Sequence, residues 1–222
     1  MDSYLKRFIR LITGLLICSL GIYLNLQANI GLAPWDAFAM GLSNLGGLSF
    51  GETNIMVSIA VLVLDFILRE KIGFGTIINA ILIGKFLDVL ILWDFIPVAS
   101  NFLVGTVLFI VAQFVLSLGC YFYIGSGMGC GPRDALMVAL CKRLPKLSVG
   151  TVRGILEVIV LLTGWLLGGP VGLGTVISVF GISYIMEITF RFLHFDVKAV
   201  QHENVFDTIK IFCGKRTIVE QN

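Results

Sequence analysis

The chain is poor in charge: Asp, Glu, Lys and Arg make up 14% of its 222 residues, against about 25% in soluble domains. It has two histidines, and its five cysteines form neither a CxxC nor a Cys/His cluster at metal-ligand spacing. No disulfide framework, metal site or cofactor is expected. No HExxH, P-loop or Ser/His/Asp order is present, so zinc hydrolysis, nucleotide chemistry and triad catalysis lack their residues, and no enzyme is expected. A net charge of +2 implies no nucleic-acid partner.

What the chain has instead is apolar length. The residues AVILMFWYC reach 57%, with 25 glycines besides, and the mean hydropathy is +0.97. Apolar runs long enough to cross about 30 Å of hydrocarbon place the chain among helical proteins that pass several times through a lipid bilayer. The first run follows Lys6, Arg7 and Arg10 like a signal peptide, but it lacks a small-residue cleavage pattern and reads as a retained span.

The sequence repeats itself. Residues 19–37, SLGIYLNLQANIGLAPWDA, match residues 117–135, SLGCYFYIGSGMGCGPRDA, at an offset of 98. Gly31, Pro34, Asp36 and Ala37 thereby face Gly129, Pro132, Asp134 and Ala135. A second block, IGFGTIINAILIGKFLDVL (72–90), matches VGLGTVISVFGISYIMEIT (171–189) at an offset of 99, and Ser49-Phe50-Gly51 matches Ser148-Val149-Gly150 at that same offset. Each half holds a long apolar run, a GxxPxDA turn opening a short helix, a second run, and a GxGT turn opening a third.

The fold class expected is therefore all-α: six transmembrane helices arranged as two inverted three-helix repeats, each with a short re-entrant or interfacial helix. Repeat 1 (1–97) has spans at about 9–29, 53–69 and 74–95 and a short helix at 34–45. Repeat 2 (98–193) has spans at about 101–124, 151–169 and 173–193 and a short helix at 132–143, and residues 194–222 form a tail. At 1.5 Å per residue the short helices cannot span. Three spans per half would orient the halves oppositely, as in many secondary transporters.

Positive charge agrees: with the N-terminus inside, 11–68, 86–132 and 154–190 hold no Lys or Arg, while Arg69, Lys71, Arg133, Lys142, Arg143, Lys146, Arg153 and Arg191 fall on the inner side. A bacterial cytoplasmic membrane with both termini cytoplasmic is the expected location. The rival eight-span arrangement would put Arg69 and Lys71 outside. In the tail, Val205, Phe206, Ile209 and Phe212 recur at helical spacing, which suits a short amphipathic helix on the inner surface.

Several residues are candidates for a solute or ion pathway. Pro34 and Pro132 suit the first helical position, so Asp36 and Asp134 fall in the first turn, where each either caps free N–H groups or contacts a ligand. Asp88 and Glu187 occupy equivalent places inside their spans, where an ionisable group marks a pathway, a proton relay or an internal pair. Lys85 is positioned to neutralise Asp88. Glu187, read as having no local cation, is the sharpest candidate for proton coupling or cation binding.

Arg133 stands beside Asp134, and Arg153 with Glu157 forms an i,i+4 pair without a counterpart in the other half. Asp65 reads as paired with Arg69. Asn54, Asn79, Ser178, Thr76 and Thr175 read as interhelical hydrogen-bonding groups, and Gly164, Gly168 and Gly172 as a close-packing stripe within the subunit. Trp35, Trp93 and Trp165 are expected at the outer interface.

The motifs GLAPWDAF, GCGPRDAL, IGFGTIINAILIG and VGLGT resemble the YczE-like family of small bacterial integral membrane proteins, related to the YitT-like group. The resemblance covers about residues 10–193. It implies a cytoplasmic-membrane protein, and it marks Gly31, Pro34, Asp36, Gly129, Pro132 and Asp134 as hallmarks without assigning them roles.

The leading expectation is a small secondary transporter of an unidentified small molecule, with proton coupling as an option. The alternatives are a non-transporting membrane partner or regulator, alone or as a homo-oligomer, and a substrate-capture subunit of an uptake complex.

Overall fold

A computed structural model describes residues 2–147, 149–196, 200 and 203–205. Among these the chain is all-helical: α1 (Asp2–Ala28), α2 (Pro34–Gly46), α3 (Phe50–Ile67), α4 (Phe74–Trp93), α5 (Phe102–Ile124), α6 (Pro132–Arg143), α7 (Val149–Leu166) and α8 (Leu173–Phe192). All but α2 and α6 are long and apolar enough to cross a membrane, which makes six candidate spans. The boundaries differ from the sequence reading mainly at α1, which begins near residue 2 instead of 9, and at α3 and α7, which start and stop two to three residues earlier. The expected tail helix lies, Val205 excepted, outside the described residues.

Local chemistry sets the helix starts. Ser49 caps α3 in a capping box: its Oγ accepts from the Glu52 N–H at 3.0 Å, and the Glu52 carboxylate accepts from the Ser49 N–H at 2.9 Å. Asn101 Oδ1 caps α5 through the Val104 N–H at 2.9 Å. The threonines of the two GxGT turns do the same work: Thr76 Oγ1 accepts from the Gly73 N–H at 3.2 Å and Thr175 Oγ1 from the Gly172 N–H at 3.1 Å. Helices α2 and α6 each begin on proline, whose missing N–H costs nothing there.

The two halves are laced together crosswise. The loop before α2 docks on the turn before α8, where the Gly174 N–H donates to Ile30 O at 2.8 Å. The loop before α6 docks on the turn before α4 in the same manner, with the Gly75 N–H donating to Met128 O, also at 2.8 Å. Gly31 and Gly129 sit at these crossings with φ of +104° and +133°. A Cβ on Gly31 would lie 2.4 Å from the Gly172 nitrogen, and one on Gly129 would lie 2.6 Å from Thr76 Oγ1. Two glycines of the repeated motif are thus required both by backbone angle and by space.

Helices α1 and α5 form the centre, in van der Waals contact through Gly14, Gly21 and Gly119. Tight backbone approach is the main attraction available to helices in lipid, where apolar burial adds little. Around this pair, α4 packs on α1 and α8 on α5, α2 packs on α7 and α6 on α3. In the α2–α7 contact a Cβ on Gly164 would lie 2.7 Å from Phe38 backbone atoms, and Gly172 packs as closely on Ile30, so these two glycines serve packing within the subunit; Gly168 lies past the end of α7, where a Cβ would meet nothing within 4 Å, and takes no part in a stripe.

Ion pairs and backbone bonds gather the N-terminus and the ends of α3, α5 and α6 on one face. Arg7 bonds Ser126 O and pairs with Glu203, Lys142 pairs with Glu70, and Arg143 donates to Leu68 O. The opposite face is tied by Gln27 Nε2, which donates to Asp94 Oδ1 at 2.9 Å and to Tyr23 OH at 3.0 Å.

Candidate functional site

The two short helices meet near their N-termini, and a cavity of about 240 Å³ opens there, close to the lower end of the ~300–1,000 Å³ range of small-molecule sites. From the first turns of α2 and α6 come Pro34, Trp35 and Asp36, and Pro132, Arg133 and Asp134. Arg133 links the halves: its Nη1 lies 3.3 Å from Asp36 Oδ1, its Nη2 lies 3.4 Å from Asn54 Oδ1, and its guanidinium sits 5.3 Å from the Trp35 ring centroid. Neither aspartate caps its own helix. Each carboxylate instead faces the cavity and a partner from elsewhere, which corrects the capping expectation.

Asp36 is 4% exposed. Burial pushes its carboxyl up, and the charge and hydrogen bond of Arg133 pull it partly back. Asp134 has a different neighbour: its Oδ2 accepts from Tyr123 OH at 2.9 Å, and no cation pairs with it among the described residues. Cys130 lies beside this group, where burial, and then the Asp134 charge, push its thiol up to about 12.

Arg153 and Glu157 make their i,i+4 pair at 3.0 Å, and both reach the same cavity from α7. Asn54 stands between these groups, 2% exposed, with its Nδ2 buried and without a hydrogen-bond partner among the described residues. Asn79 and Ser178, equivalent in the two halves, also line the wall. The structure thus brings Asp36, Asp134, Arg133, Arg153 and Glu157 into one site.

Three other candidates, Glu187, Asp88 and Lys85, lie outside this cavity. Glu187 is largely exposed at the N-terminal face, and its Oε1 accepts from Arg191 Nη2 at 2.8 Å, so it is neither deep nor without a cation. The reason is simple: Glu187 lies within five residues of the end of α8, and Arg191 is four residues on along the same helix face. Asp88 does not pair with Lys85, which is exposed; it accepts from Ser49 Oγ at 2.7 Å and from the Gly51 N–H at 2.8 Å. Trp35 lines the cavity and is not part of an outer belt, whereas Trp93 and Trp165 are exposed.

One residue is missing from the sequence reading, and another is given a partner there that it does not have. Tyr123 is buried, and its position in the second half corresponds to Asn25, a buried polar residue; that shared polarity at matched places was the available signal. Asp65 is fully buried, and neither of its carboxylate oxygens has a hydrogen-bond partner among the described residues, so the expected pair with Arg69 is not made. Arg69 itself turns away in a left-handed conformation at φ 54°.

Helices α3 and α4 are clasped together, whereas α7 and α8 are not packed closely on each other, and a shallow depression of about 450 Å³ lies between Arg153 of α7 and the end of α8. Arg153 and Met186 stand between this depression and the central cavity and line both.

A model of one protein family matches residues 5–191, which is most of the chain. The chain belongs to DUF6198, a family of unknown function. The family's matched region takes in both GxxPxDA motifs and all six spans. Among its relatives, an uncharacterized protein of Haemophilus influenzae is 33% identical over 178 residues, covering 80% of each chain. The uncharacterized membrane protein YczE of Bacillus subtilis is 30% identical over 168 residues, covering 74% of this chain and 76% of the relative. No solved structure matches the chain. With six apolar helices and such relatives, the chain is a membrane protein, in agreement with the resemblance read from its motifs.

Proposed function

We propose that the chain is a small secondary carrier that moves a small polar solute through the central cavity by alternating access between two oppositely oriented halves. The observation that carries this reading is the cavity itself. It lies where the two short helices meet, draws charged groups from both halves, and is flanked by a closely packed α3–α4 pair on one side and by the loosely packed equivalent pair α7–α8 on the other. A pocket at the interface of repeats, walled by half-length helices, is the arrangement secondary transporters use.

The inner side is assigned to the face of the N-terminus, where Arg7, Arg69, Lys71, Lys142, Arg143 and Arg191 gather. On that assignment the depression beside α7 and α8 faces inward. The plasma membrane of a bacterium is the matching location.

The charges favour a zwitterion over a simple ion. Three carboxylates face two guanidiniums and two helix N-termini, each end worth about half a positive charge, so the cavity is near neutral with separated poles. Asp134 with Tyr123 offers an acceptor for an ammonium group. Arg133, Arg153 and the unused Asn54 Nδ2 offer donors for a carboxylate or phosphate oxygen.

The test is thermal unfolding of the purified protein with small amino acids, simple ammonium salts and simple carboxylates, because a native-state ligand stabilises by mass action. The amino-acid arm should raise the melting temperature saturably, and Asp134→Asn should abolish the rise. Stabilisation by the simple ions alone would overturn the zwitterion reading, and counterflow into proteoliposomes that equals empty vesicles for every stabilising solute would overturn the carrier.

A further inference from the structure

The two halves share a sequence pattern yet differ in one contact. In the first half, α3 and α4 approach until their backbones touch: a Cβ on Gly51 would lie 2.1 Å from Gly84 O, and one on Gly84 would lie 2.4 Å from Gly51 O. Asp88, one turn beyond Gly84, reaches across and takes the Gly51 N–H at 2.8 Å and the Ser49 hydroxyl at 2.7 Å. A carboxylate on the first turn of α3 satisfies free N–H groups and meets the positive end of the helix. That contact lies at the end of the bundle opposite the N-terminus, where α3 begins and α4 approaches its end.

In the second half the same positions are occupied by Gly150, Ser183 and Glu187. Here the contact is absent. Gly150 is exposed, and a Cβ on Gly154, which corresponds to the packed Ile55, would meet nothing within 4 Å. Ser183 and Glu187 line the depression between α7 and α8, and Glu187 is held by Arg191 on its own helix, 64% exposed. The halves thus show one clasp made and its counterpart unmade.

We infer that Asp88 and Glu187 are reciprocal gate latches: in the second state of the molecule Glu187 leaves Arg191 and closes α8 onto the first turn of α7 around Gly150, while Asp88 releases α3. This rests on the carrier reading and supplies its moving parts. Carboxylates serve both latches because each must leave a local partner and find a helix N-terminus, where a negative charge is favoured. The two latches are unequal. Ser183 carries a Cβ where Gly84 has none, so the second closure is looser, and the state with the first latch made is the resting one.

The test uses a variant with its native cysteines replaced and the pair Gly150→Cys with Ser183→Cys, which mirrors the Gly51–Gly84 contact, treated with a short thiol crosslinker in membranes. Asp88→Asn should raise crosslinking several-fold by freeing the first latch. Arg191→Gln should also raise it by freeing Glu187, and Glu187→Gln should lower it. Because Asp88→Asn removes a cap and could unfold the chain, Arg191→Gln at an exposed site gives the independent reading. Crosslinking that is unchanged by all three substitutions overturns the latch assignment. If the cavity still becomes labelled from the far face while the pair stays unlinked, the latches fail and the carrier stands; if neither occurs, both fail.

Discussion

Arg133 is the residue on which the two halves meet electrostatically, and its removal has a size that the structure sets. Its Nη1 stands 3.3 Å from Asp36 Oδ1, so at an effective dielectric of about 20 the Coulomb attraction is about 5 kcal/mol. Breaking a buried pair by deleting one partner costs about 3–5 kcal/mol, because the other charge is left unpaired. The Arg133 side chain is 28% exposed whereas that of Asp36 is 5%, and partial screening lowers the expectation for Arg133→Leu to about 2–3 kcal/mol.

Asp36→Asn leaves a guanidinium that water can reach, and should cost only about 1 kcal/mol. The double variant has no buried orphan charge, so its cost should fall below the sum of the single costs by about 1.5 kcal/mol. Reversible unfolding in detergent micelles, followed by denaturant titration of the four proteins, measures this. Additivity within about 0.3 kcal/mol would refute the reasoning, since it would mean that the two side chains do not interact.

Other substitutions test other joints. Gly31→Ala and Gly129→Ala each force a Cβ into the opposite turn at a left-handed backbone angle, and each should cost upward of about 2 kcal/mol in the same titration. Asp65→Asn should be neutral or stabilising, because a carboxylate buried without donors forfeits its hydration and an amide forfeits less; a loss above about 2 kcal/mol would show that the carboxylate has a partner. Lys85→Ala removes a charge that stands midway along the span α4 with no ion pair among the described residues, and should leave stability unchanged or raise it by about 1–3 kcal/mol without altering solute binding; a loss of stability would show that the lysine has a partner.

The sequence exposes the helices and their order because two apolar blocks recur in register and because proline, aspartate and glycine mark each short helix. The crossing of each GxxPxDA loop onto the other half's GxGT turn was not legible: both motifs are local, and only packing shows that glycine faces glycine across the repeat. The cavity residues Asp36, Asp134, Arg133, Arg153 and Glu157 stood out as charges in apolar surroundings. Asp88 and Glu187 stood out in the same manner and were misplaced, because depth along a span says nothing of the face a side chain takes or of how near the helix end lies. Arg191, one helical turn beyond Glu187, was in plain view and its pairing passed unnoticed. Tyr123 is absent from the sequence reading and Asn54 enters it only as an interhelical hydrogen-bonding group, because their place on the cavity wall depends on the phase of one helix against another.

The claim beneath all of this is that one cavity is reached from one face at a time. A single cysteine at Ser178, in a chain otherwise free of cysteine, places a thiol on the cavity wall, and an impermeant maleimide can be offered to either face of oriented vesicles. The thiol should react quickly from the face of the N-terminus, slowly from the opposite face, and faster from that opposite face once Asp88→Asn is introduced. Reaction from the N-terminal face alone, at rates that Asp88→Asn does not shift, would show a fixed pocket and contradict the account.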